Sequence, residues 1–140
     1  MNKQKSATWL TYAGIIPFVV LAKLTLFDMN LLHIAPYPLL LVYAAVIAAF
    51  IGGIHWGLYL VKDAPLNLFI HSNIITLIAC LAAAGILPFN LWLLVGCFVY
   101  LYWIDIKLLN AGVTEPWFQR LRTHASIAVV LSLLIVALFR

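Results

Sequence analysis

His55, Asp105, Arg120 and Arg122 are the residues of this sequence whose types and positions could support acid–base or ionic chemistry. An imidazole exchanges a proton near neutral pH. A carboxylate accepts hydrogen bonds, and a guanidinium beside it keeps it ionised. Each of the four lies within or at the edge of a long apolar run, where an ionisable group is costly unless it is paired or faces a watery cavity. A short link containing Gly112 and Pro116 separates Asp105 from the two arginines, so a carboxylate–guanidinium pair is expected. Such a pair reads either as a staple between helices or as part of a site. Arg120 and Arg122 also read as basic anchors at a membrane surface.

The imidazole sits in the densest motif of the chain, Phe50-Ile51-Gly52-Gly53-Ile54-His55-Trp56-Gly57. Ala45, Ala49, Gly53 and Gly57 recur every four residues, the small-xxx-small stripe that lets helix backbones approach closely. On a helical wheel His55 lies nearly opposite Gly53, over Ala48 and Gly52. The expectation is a central helix with two faces, one packed closely at Gly53 and Gly57 and the other carrying the imidazole, with Gly52 and Trp56 completing the packing motif. His71 and His124 fall at a depth similar to His55. Two of the three on facing helices would suit bis-histidine haem ligation.

Elements long enough to position these groups follow from composition. Of 140 residues, 66% are apolar and 9% charged, against roughly 25% charged in a soluble domain. Too few polar groups exist to cover a soluble fold, so the lipid bilayer is the expected solvent and principal partner. The formal net charge is +4 and the pI about 9.3. The basic residues cap apolar runs and form no aromatic-interleaved patch, which argues against nucleic acid. Cys80 and Cys97 have no CxxC or Cys/His spacing and read as apolar filler; no motif calls for a metal or cofactor.

A membrane-spanning helix needs about 20 mainly apolar residues. Five stretches qualify, 8–27, 37–61, 67–87, 89–109 and 117–139. The predicted fold is therefore all-α, a single polytopic domain over 1–140 built as a bundle of five transmembrane helices. Pro17 should kink the first span, and its place within the apolar run argues against a cleaved leader. With five spans, Lys3, Lys5, Lys62, Lys107, Arg120 and Arg122 share one side, and Lys23 and Arg140 the other. The excess predicts a cytoplasmic N-terminus and an external C-terminus, in a bacterial inner membrane. His55, Asp105, Arg120 and Arg122 then all fall in the cytoplasmic half.

Ala13-Gly14-Ile15-Ile16-Pro17-Phe18, Tyr43-Ala44-Ala45-Val46-Ile47 and Gly52-Gly53-Ile54-His55-Trp56-Gly57 resemble the domain of unknown function 3429 family, small bacterial membrane proteins and relatives of eukaryotic transmembrane protein 69. Tyr102-Trp103-Ile104-Asp105 and Trp117-Phe118-Gln119-Arg120-Leu121-Arg122 are similar to its later landmarks. The resemblance implies that Gly53, His55, Trp56, Asp105 and Arg122 are family positions, with Arg120 a weaker match. His71 and His124 match none. The proline-containing polar stretch expected near Ser72-Asn73-Ile74-Ile75 is missing. The family brings no activity with it.

Three functions compete. The first is a buried His/Asp/Arg site that handles a proton, ion or small solute, or supports a membrane complex alongside a protein partner or a second copy of the chain. The second is redox chemistry through haem or quinone at His55 with His71 or His124. The third is enzymatic catalysis, which lacks a nucleophile elbow, an HExxH and a phosphate loop and is the least favoured.

Overall fold

Prolines and asparagines punctuate the apolar runs. Asn2 and Asn67 cap their helices by accepting from the backbone N–H of Lys5 and Ile70. Pro36 and Pro116 occupy first-turn positions, where the missing N–H has no intrahelical partner to lose. A computed structural model describes residues 2–30 and 32–140. It contains α1 (Lys3–Leu26), α2 (Pro36–Val61), α3 (Leu68–Ala83), α4 (Asn90–Asn110) and α5 (Pro116–Phe139). Among the described residues there is no strand element.

Four of these helices, all but α3, are long and apolar enough to cross a membrane. The expectation of five spans is met only in part. At 16 residues, α3 is about 24 Å long, short of the ~30 Å hydrocarbon core. Hydropathy overran its end because Ile86 and Leu87 continue the apolar run. The backbone turns earlier, at Gly85, whose φ of +73° is readily adopted only without a side chain. Gly85 N–H donates to the Ala82 carbonyl, closing the helix.

The helices form a closed circuit: α1 packs on α2 and α5, α3 on α2 and α4, and α4 on α5. One contact crosses it, between α2 and α4. The centre is therefore shared by α2 and α4 rather than held by α2 alone. Among the described residues α2 and α5 make no backbone approach of their own. The main core joins Phe18 of α1, Leu40, Ala44 and Ala48 of α2, Leu94, Phe98 and Leu101 of α4, and Leu133 of α5. Phe18 meets Phe98 edge-on at 5.9 Å. Large apolar side chains such as Phe50, Leu77 and Leu131 point away from the protein, as lipid contact requires.

Both ends of the bundle are tied. At one, Lys62 Nζ donates to the Val113 carbonyl at 3.2 Å, joining the α2–α3 and α4–α5 links. At the other, the Arg140 guanidinium lies 3.6 Å from the centroid of the Tyr37 ring.

The close-packing face of α2 differs from the expected one. A Cβ built at Gly53 or Gly57 meets nothing within 4 Å, and Trp56 faces outward. At Gly52 it meets Ser72 Cβ and the Ser72 carbonyl at 3.4 Å. The buried stripe is Ala44, Ala48, Gly52 and His55, so the imidazole and the small residues share one face. Two small-residue stripes run along α2, and spacing alone cannot say which of them a neighbour covers.

Candidate functional site

Three helices contribute one side chain each. His55 stands six residues before the end of α2, Asp105 five before the end of α4, and Arg122 six after the start of α5. At 1.5 Å per residue all three lie about 8–9 Å from the same end of the bundle. His55 Nε2 is 2.7 Å from Asp105 Oδ1, and Arg122 Nε donates to Asp105 Oδ2 at 2.9 Å. An ionised carboxylate can only accept, so Nε2 carries the hydrogen toward Asp105. His55, Asp105 and Arg122 are 1%, 3% and 8% exposed, which places the contacts away from solvent screening. The carboxylate also links α2 to α5, which among the described residues have no backbone contact of their own.

With His55 neutral, the Asp105 and Arg122 charges cancel. The same geometry leaves donors and acceptors uncommitted. His55 Nδ1, Arg122 Nη2, both amide atoms of Gln119 and Ser126 Oγ are buried without a hydrogen-bond partner among the described residues. Gln119, Arg122 and Ser126 recur at i, i+3 and i+7 along the buried face of α5. Together they form a polar strip running inward from the helix start past the carboxylate. Gln119 and Ser126 were not singled out from sequence; their spacing with Arg122 is the signal that could have found them.

Arg120 is exposed and does not reach Asp105; Arg122 takes that contact. The two arginines are two residues apart on α5, so they point to different sides of the helix, and only one can face α4. His71 Nδ1 is hydrogen-bonded to the Tyr100 hydroxyl, between α3 and α4. The His124 Nδ1–Tyr12 hydroxyl distance is 2.8 Å, between α5 and α1. Three histidines therefore hold three separate partners, and the expected pairing of His55 with His71 or His124 is not favoured by this arrangement. Tyr12 and Tyr100, like Tyr43, whose hydroxyl donates to the Gly14 carbonyl at 2.7 Å, serve as interhelical hydrogen-bonding groups.

The sequence model of a family described as Protein of unknown function (DUF3429) matches residues 3–138. The chain belongs to that family. No curated protein and no solved structure matches it. The matched region takes in all of α1, α2, α3 and α4 and all of α5 but Phe139, so the His55–Asp105–Arg122 cluster lies wholly inside the family's domain. The chain is accordingly a membrane protein of a family whose activity is not assigned, and the cluster's chemistry is argued from its geometry.

Proposed function

We propose that this chain binds and passes protons within the membrane, with His55 as the group that gains and loses the proton. One observation carries the reading: a buried imidazole donates through Nε2 to a carboxylate while its other nitrogen, Nδ1, stays unpartnered. A proton added at Nδ1 makes an imidazolium whose charge Asp105 stabilises across the 2.7 Å contact. Arg122 donates to the other carboxylate oxygen at 2.9 Å, which holds Asp105 in place for the imidazole throughout the cycle. Histidine and carboxylate groups of this kind inside membrane bundles mark proton relays. Gln119 and Ser126 place uncommitted polar atoms on the same buried face of α5 as Arg122.

The excess of basic residues at that end supports placing the site in the cytoplasmic half, with the N-terminus inside, and a bacterial inner membrane is the setting we propose. The test is proton flux in vesicles containing the purified protein and an enclosed pH-sensitive dye, driven by an imposed gradient. Wild type should exceed empty vesicles, and His55→Gln, which retains an amide donor toward Asp105, should fall to the empty-vesicle rate. Equal flux in wild type and variant would remove His55 from the path.

A further inference from the structure

A second polar feature lies outside the cluster, at the same end of the bundle. Gln4, Thr8 and Tyr12 recur every four residues on α1 and face Arg120 and His124, also four apart, on α5. Between them is an open cleft of about 260 Å³, with Trp117 at its rim. It runs about 12 Å down from the helix starts, the eight residues from Gln4 to Tyr12 at 1.5 Å each.

From this geometry we infer that the cleft binds the phosphate headgroup of an anionic phospholipid. Four observations bear on the occupant. Arg120 is the cation of the cleft, and among the described residues no carboxylate pairs with it, so a monoanionic phosphodiester would complete its charge. His124 Nδ1 is occupied by the Tyr12 hydroxyl at 2.8 Å. With the hydroxyl donating, Nε2 carries a hydrogen and becomes a second donor in a neutral ring. The backbone N–H groups at the start of α5 have no side-chain cap and present the positive end of the helix dipole. Finally, the cleft opens where an apolar helix surface meets the chain's basic end, with Lys3 and Lys5 in the first turn of α1. A headgroup reaches that level with its acyl chains lying along exposed Trp9 and Ile16. One group opposes the ligand: the Glu115 carboxylate, which accepts from Trp117 Nε1. Its charge offsets part of Arg120's attraction and so lowers the preference for an anionic headgroup.

The experiment is native mass spectrometry of lipid retained by the protein from an equimolar mixture of phosphatidylglycerol and phosphatidylcholine. A cation near a membrane surface favours an anionic lipid by about fivefold. Arg120→Gln should lower the phosphatidylglycerol-to-phosphatidylcholine ratio by about that factor, and Glu115→Gln should raise it. Lys107→Gln lies at the same end but outside the cleft, with its ammonium over the Trp103 ring, and should leave the ratio within about twofold. A loss with Lys107→Gln equal to that with Arg120→Gln would mean diffuse surface attraction and would overturn the site. An unchanged ratio in Arg120→Gln would overturn it as well. Displacement of the retained lipid by millimolar glycerol phosphate, with no demand for acyl chains, would make the cleft a soluble-phosphate site and refute the lipid assignment.

Discussion

Removing Arg122 should be rescued by removing Asp105. In Arg122→Gln the Asp105 carboxylate stays 3% exposed and keeps His55 as its one remaining donor. Breaking a buried ion pair from one side costs about 3–5 kcal/mol. Asp105→Asn leaves the guanidinium without its acceptor, at a similar cost. Independent losses would then sum to about 6–10 kcal/mol. The double variant carries no uncompensated charge and loses only hydrogen bonds, each worth about 1–1.5 kcal/mol. Its total should be about 3 kcal/mol, a coupling of at least about 3 kcal/mol. The 2.9 Å contact between Arg122 Nε and Asp105 Oδ2 is the reason to expect so much. Reversible unfolding in mixed detergent micelles, followed by circular dichroism, measures all four corners of the cycle. Additivity within about 0.5 kcal/mol would refute the contact. Arg120→Gln combined with Asp105→Asn serves as the control and should show no recovery, since Arg120 points away from α4.

Other outcomes follow from the same geometry. Gly52→Leu should destabilise by about 1–3 kcal/mol through overpacking against Ser72, whereas Gly53→Ala, with nothing near its new Cβ, should hold or gain up to about 1 kcal/mol; thermal unfolding in detergent compares them, and the reverse ranking would mean that the other stripe is the packed one. His55→Ala should lose about 2–4 kcal/mol because it leaves a void and strips a donor from Asp105, while His55→Gln should lose less, and equal losses would show that the donor contributes nothing. Tyr43→Phe should cost about 1 kcal/mol by the loss of one hydrogen bond, measured in the same assay. Reporter fusions should place the two termini on opposite faces of the membrane; termini on one face would mean that α3 does not cross.

The apolar runs and their breakers made the helices legible, because lipid demands about 20 apolar residues and proline stops them. The ends were less legible, since hydropathy reports the lipid boundary while capping decides the helix boundary. Thus α1 begins at Lys3, where Asn2 caps it, five residues before the apolar run. Asp105 with an arginine could be anticipated because an intramembrane carboxylate needs a counter-ion. The choice of Arg122 over Arg120 depended on the rotation of α5 about its own axis, which one sequence does not specify. That rotation also sends His124 toward Tyr12 on α1 rather than toward His55. The buried face of α2 was unreadable for the same reason.

The Asp105 carboxylate also has a consequence for the order of synthesis. It emerges 17 residues before Arg122, and at about 5–20 residues per second that interval is roughly 1–3 s. For that time α4 carries a charge whose guanidinium partner does not yet exist, and an aspartate within a lone inserting helix is penalised by up to about 3 kcal/mol. The fourth helix is thus a poor passenger by itself and a good one as half of a hairpin. An insertion machine that releases helices by their partition into lipid would hold α4 until α5 arrives, and release the two as a unit onto a waiting His55.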